Sequence, residues 1–128
     1  MSKKALILTW EKYQDHEVIY PYYRVQEDDF EVDIMTNILG RVHGYLGTYN
    51  ESTKLVSDFD DQKKYDSYMN DYGLLIIPGG VKALEYLRQQ TNALKFISEW
   101  NEKGKVIGCI CHGAQLLISA ELKLKIPL

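Results

Sequence analysis

Residues 106–120 read VIGCICHGAQLLISA, and the fold of the chain hangs on how that stretch is parsed. An apolar β-type run (Val106, Ile107, Ile110) meets a helix-forming run (Ala114 to Ala120) through Cys111, His112 and Gly113, leaving almost no residues for a loop. A strand-to-helix turn that tight points its central side chain outward, and that side chain is the thiol of Cys111. Cys109 and Gly113, two residues before and two after, supply the clearance that such a strained elbow needs, with cysteine in place of the usual serine. At the N-terminus of the following helix the sulfur faces unpaired amides and the positive end of the helix dipole, which favours the thiolate.

The segments upstream have the same grammar. LLII at 74–77 is a continuous apolar run, a buried strand stopped by Pro78-Gly79-Gly80, a turn that frees backbone amides. ALILT at 5–9 is a second buried strand of the kind found in parallel sheets, and Glu31 to Thr36 alternates as a third. Helical spacing appears between them. Val18, Tyr22 and Val25 follow Asp15, a candidate N-cap, and Pro21 inside this helix predicts a kink or a start nearer Tyr20. Tyr65, Tyr68, Met69 and Tyr72 share one face of a surface helix whose charges are a solvated face. Ala93, Leu94, Ile97 and Trp100 mark another helix, capped by Thr91 or Asn92 and stopped at Gly104. Gly40, Gly44 and Gly47 between β-prone pieces predict a small hairpin over 40–56, and the tail 122–128, LKLKIPL, alternates like a strand. Strands alternating with helices predict a doubly wound α/β sheet. Its strand ends, carrying Trp10, Pro78 and Cys111, then share one edge, outside which such sheets bind their ligands.

Composition narrows the function. The 128 residues, 45% of them hydrophobic, make one domain (1–128) able to bury a core. The formal charge of -3 and the scatter of the 15 Lys and Arg leave no basic stripe for nucleic acid. No run is long enough to span a membrane, and MSKK before ALILTW lacks the length and cleavage site of a signal peptide. Two cysteines one residue apart, without a secretory segment, suit a reduced, cytoplasmic protein.

Each candidate group also has a plainer reading. Most lone cysteines are packing residues, and Cys109 is the one that fits that role. A Cys109–Cys111 bridge does not fit an extended strand, where residues two apart have Cα atoms roughly 6.6 Å apart with parallel side chains. Cys109, Cys111 and His112 lack a fourth ligand at zinc spacing, so no metal site is expected. His112 acts as a base only where the turn folds its ring back toward the sulfur or the substrate. His16 and His43 read as structural or surface residues.

Three stretches carry a family resemblance: ALILTWEKYQDHEVIYPYYRVQEDDFEV, LLIIPGG and KVIGCICHGAQLLISA. Together they resemble the PfpI/ThiJ family, the intracellular protease I and deglycase relatives of class I glutamine amidotransferase-like domains, to about Ala120. The resemblance implies a flavodoxin-like three-layer α/β/α sandwich with a mostly parallel sheet. It implies Cys111 as nucleophile, a partner carboxyl at Glu17, and an oxyanion held by the backbone amides of Gly80 and His112. In the protease-like branch an acid from a neighbouring subunit orients the histidine; Glu85 matches it if one extra residue after Gly80 is allowed, and is otherwise an ordinary helix-surface acid. Glu17 likewise reads either as a protonated donor to the thiolate or as a first-turn acid on the helix dipole.

The implied activity is peptidase-type hydrolysis of peptides or small amides, because His follows Cys, with glyoxalase or deglycase chemistry on methylglyoxal-type carbonyls as the alternative. Neither needs a cofactor, and both imply a small-molecule or peptide substrate and a homo-oligomer. Outside catalysis, an exposed Cys111 suits a redox sensor and exposed apolar surface a chaperone. The family pattern also has a further hairpin, strand and closing helix, so this chain is expected to be a truncated form, without the last strands and closing helix, and an inactive remnant is the third reading.

Overall fold

A computed structural model describes residues 2–124. Five strands form one parallel sheet: β1 (Lys4–Leu8), β2 (Glu31–Thr36), β5 (Lys54–Leu55), β6 (Leu74–Ile77) and β7 (Val106–Cys109), in the order β5-β2-β1-β6-β7. β3 (Gly40–His43) and β4 (Tyr49–Ser52) pair antiparallel as the expected hairpin, which ends at Ser52 rather than at 56 because Lys54–Leu55 pairs with β2 in the main sheet. The helices are α1 (Asp15–Gln26), α2 (Gln62–Asp71), α3 (Val81–Leu87), α4 (Thr91–Glu102) and α5 (Ala114–Leu124).

Period-two alternation of buried residues in the central strands builds two apolar layers. Leu6, Leu8, Leu75 and Ile77 point to one side, where Phe96 and Trp100 of α4, Tyr65 and Met69 of α2 and Leu116 of α5 cover them. Ile7, Ile34 and Ile76 point to the other and pack with Tyr13, Val18 of α1 and Val42 of the hairpin. The result is the flavodoxin-like α/β/α sandwich. The register aligns Ile7 with both Ile34 and Ile76, and Ile77 with Cys109, so the carboxyl ends of β1, β6 and β7 finish side by side. Strand order reverses direction between β1 and β6, the switch point at which loops diverge and leave a crevice.

Several local expectations are corrected. The N-cap of α1 is Gln14, and the helix opens at Asp15 and runs through Pro21 to Gln26. Pro21 lacks the amide that would bond the Glu17 carbonyl one turn back, yet its ring is buried, and burial of this face offsets the lost bond. Asp15 does not cap its own helix; its buried carboxylate accepts from the amides of Leu46 (2.7 Å) and Thr48 (3.0 Å) in the hairpin turn, and from the Thr48 hydroxyl. The N-cap of α4 is Gln90, one residue before Thr91. Leu122 to Leu124 continue α5 in place of the expected strand, since three alternating residues do not outweigh extension of a helix already nucleated; the rest of that tail lies outside the described residues.

Candidate active site

The elbow is built by one backbone rung and one close approach. The Ile110 amide donates to the Ile77 carbonyl at 3.0 Å, the chain then turns through a single 3-10 turn at Cys111–Gly113, and α5 begins at Ala114. Gly113 is pressed so hard onto the end of β6 that a Cβ there would lie 2.1 Å from the Ile77 carbonyl oxygen. Only glycine allows the helix to start this close to the neighbouring strand. Cys111 takes the strain: its φ is +54°, a left-handed conformation costly for a residue with a side chain. The thiol is exposed, and its sulfur lies 3.4 Å from Nδ1 of the His112 ring. The turn therefore does fold that ring back toward the sulfur. Cys109, two residues earlier, is half-buried against the core, and burial pushes its thiol up from the ordinary cysteine value. Both cysteines are free.

Glu17 reaches this edge from the first turn of α1. Its Oε1 accepts a 2.7 Å hydrogen bond from the Gly79 amide in the turn after β6. A Cβ on Gly79 would stand 2.4 Å from Glu17 Oε1, 3.2 Å from the His112 amide nitrogen and 3.3 Å from the Ile110 carbonyl oxygen. The bare α-carbon of Gly79 is thus the point on which the acid, the elbow and the β6 turn converge. Among the hydrogen bonds of the described residues, the Cys111 sulfur pairs with His112, and Glu17 with Gly79. Gly80 is the N-cap of α3 and His112 the middle residue of the 3-10 turn, which puts both amides beside the Gly79 α-carbon at the start of a helical segment.

The remaining candidates lie elsewhere. Glu85 is exposed on α3 and pairs with Arg88 at 3.2 Å on its own helix. It lines a cavity of about 250 Å³ between α3 and α5, and the fold brings no residue of the elbow turn itself into that cavity. His43 packs its ring 6.2 Å from Tyr49 in the hairpin, and His16 is exposed on α1. Among the described residues no group of three His, Cys, Asp or Glu side chains could hold a metal ion, and no helix is long and apolar enough to cross a membrane. Two features escaped the sequence reading. Gly79 was visible only as part of Pro-Gly-Gly, whose pattern does not say which glycine receives the acid. The Asp15 bonds span 31 and 33 residues, beyond any local periodicity.

The elbow, the Pro-Gly-Gly turn and the first-turn glutamate all lie within residues 3–125, the stretch that the model of the DJ-1/PfpI family matches. The chain belongs to the DJ-1/PfpI family. It is 35% identical over 117 residues to a deglycase of Thermococcus kodakarensis, covering 91% of this chain and 65% of the relative. It is 33% identical over 120 residues to the deglycase PfpI of Pyrococcus furiosus, with the same two coverages, 91% and 65%. The chain thus spans 65% of the length of these DJ-1/PfpI relatives. Among solved structures, DJ-1 of Schizosaccharomyces pombe superposes with a TM-score of 0.79 at 18% identity, over 93% of this chain and 63% of that one. A two-domain protein from Anabaena variabilis containing DJ-1/ThiJ/PfpI-like and ferritin-like domains does so at 0.79 and 26% identity, over 94% of this chain and 33% of that one.

Proposed function

We propose that the chain carries the nucleophile of a cysteine enzyme acting on small carbonyl compounds and their adducts, of the deglycase or glyoxalase type. The observation that carries the reading is Cys111 itself, strained at φ +54° with its sulfur exposed beside His112 Nδ1. Strain in the backbone of an exposed thiol has no packing benefit, whereas it aims the sulfur at the sheet edge. The names of the archaeal relatives, both deglycases, favour carbonyl chemistry over peptide bonds.

In this reading the Cys111 sulfur adds to the carbonyl carbon. A C–S bond forms, the C=O π pair moves onto oxygen, and the amides of Gly80 and His112 hold the resulting charge. The thiol proton passes to His112 Nδ1, in the tautomer that leaves this nitrogen free to accept. Glu17, bonded to the Gly79 amide, fixes the β6 turn against the elbow and relays a proton when the adduct collapses. With methylglyoxal the C1 proton of the hemithioacetal moves to C2, leaving a lactoyl thioester on Cys111. One water then breaks the C–S bond, releasing lactate and restoring the thiol, with C1 oxidised and C2 reduced within the same molecule and no cofactor. Peptide hydrolysis is the second reading, favoured by the Cys–His contact; there Glu85 of a neighbouring copy would orient His112. The two free thiols fit a cytoplasmic setting.

One assay separates the readings. The purified chain is given methylglyoxal, methylglyoxal-treated N-acetyl-lysine and a fluorogenic peptide, beside a Cys111→Ala control. Lactate formation lost in the control supports the carbonyl reading, and peptide cleavage lost in the control supports the second. Equal rates with and without Cys111 would overturn both.

A further inference from the structure

A cavity of about 300 Å³ lies at the switch point between the carboxyl ends of β1 and β6, lined by Lys12, Gln14, Tyr45, Gly80, Val81 and Lys82. It shares Gly80 with the candidate active site. Its charge is one-sided: two lysines from different elements line it, and no acid does. Among the described residues neither lysine forms an ion pair. The carboxylates of the same loop and helix are engaged elsewhere. Glu11 accepts from the Asn37 side chain at 3.1 Å, Asp15 is tied to Leu46 and Thr48, and Glu17 to Gly79.

The walls are also fixed. Lys12 has φ +72°, strained for a residue with a Cβ, and its amide is held by the His43 carbonyl at 2.9 Å. On either side, the Tyr45 amide donates to the Tyr13 carbonyl at 2.8 Å and the Gln14 amide to the Gly79 carbonyl at 3.2 Å. Trp10 of the same loop stacks on Tyr86 of α3 with ring centroids 6.0 Å apart, which ties the helix of Lys82 to the loop of Lys12. Two lysines without an ion pair, carried on backbone that these contacts hold in place, give the cavity a positive lining suited to an anion.

We propose that this cavity is a subsite for the anionic tail of the substrate, so that the preferred substrates are carbonyl compounds bearing a carboxylate or a phosphate. Lys12 and Lys82 hold the tail while the carbonyl lies at the Gly80 amide. The inference deepens the carbonyl reading above and rests on it for the identity of the reacting group.

Binding is tested apart from turnover. Cys111→Ala protein, which cannot form a covalent adduct, is titrated by NMR with pyruvate, dihydroxyacetone phosphate and the neutral hydroxyacetone. The same titrations are run with Lys12→Gln and Lys82→Gln added, and with Lys63→Gln as a control charge away from the cavity. The expected result is binding of an anionic probe that weakens about tenfold or more with the cavity lysines removed. It also weakens as salt is raised to about 0.3 M and is unchanged by Lys63→Gln. Tighter binding of pyruvate assigns a carboxylate tail, and of dihydroxyacetone phosphate a phosphate tail. No anion binding, equal binding in the lysine variants, or hydroxyacetone binding as tightly as the anions overturns the subsite. Lysine-dependent binding in a protein whose Cys111 form turns over no carbonyl compound leaves the subsite standing and removes the catalytic reading.

Discussion

Cys109 and Cys111 are two residues apart and differ in exposure. Cys109 is half-buried with its thiol pushed up by desolvation, whereas Cys111 stands exposed at the elbow. Alkylation by iodoacetamide near neutral pH should therefore fall on Cys111 first, with Cys109 labelled only as the pH is raised; peptide mass analysis of a time course reads the order, and equal rates would contradict the geometry. Glu17 offers a second comparison. Gln keeps an oxygen to accept from the Gly79 amide, while Ala leaves that amide without its partner. Glu17→Ala should cost about 2 kcal/mol in denaturant unfolding, the range for a hydrogen bond to a charged group, and Glu17→Gln clearly less. If the carboxyl also moves protons, both variants lose lactate formation together, so stability and activity separate the anchoring role from the chemical one. Cys111, His112 and Gly113 were legible because an elbow is written in consecutive residues. The Glu17 bond to Gly79 crosses 62 residues, and only the folded sheet edge reveals it.

At the scale of elements, the strands were legible as apolar runs because a sheet covered on both faces leaves little room for polar alternation. Their order was not, since nothing in LLII or ALIL specifies which neighbour it takes. The junction of α1 with the hairpin shows why local rules misplaced Asp15. A buried carboxylate one residue past the cap gains more from three donors in the β3–β4 turn than from its own helix terminus. Gly44 makes room for it, since a Cβ there would stand 2.5 Å from the carboxyl carbon. Burial alone would raise the Asp15 pKa, but the Thr48 hydroxyl and the Leu46 and Thr48 amides outweigh it and hold the group below its ordinary value of 3.8. A carboxyl with a depressed folded value contributes stability that is complete above its unfolded value and fades as the pH falls through the folded one. Docking of the hairpin should therefore persist at neutral pH and loosen below about pH 4. Hydrogen exchange at the Leu46 and Thr48 amides checks this: protection should fall in acid in the native chain and be low at every pH in Asp15→Ala. Because Tyr45 of this turn lines the lysine cavity, the same loosening should weaken anion binding in parallel.

Across the whole molecule, the ten tyrosines divide by burial, and the buried ones tie both faces of the sheet to one titration. Tyr13 lies in the layer of α1 and the hairpin, where its hydroxyl donates to the Val42 carbonyl at 3.2 Å and accepts from Asn50 at 2.9 Å. On the opposite face Tyr65, Tyr68 and Tyr72 pack around α2, with Tyr68 donating to Asp58 at 2.6 Å and Tyr72 to Asp33. Burial raises the pKa of all four above the ordinary value of 10.0; for Tyr68 and Tyr72 the carboxylates that accept their protons raise it further. A phenol whose folded value is raised keeps its proton in the folded state while the unfolded chain releases it. Its stabilising contribution is thus complete below the unfolded value and is lost as the pH climbs above it. Four such groups acting together make stability fall steeply above about pH 10. In an alkaline titration, the phenolate absorbance of these four should rise only together with loss of the far-ultraviolet helix signal. Tyr72→Phe tests the coupling: it removes one proton from the transition and makes the decline with pH shallower. A smooth ionisation of all ten tyrosines ahead of unfolding would mean that the two apolar layers are open to solvent, and that the sheet edge bearing Cys111 lacks the rigid backing its strained geometry requires.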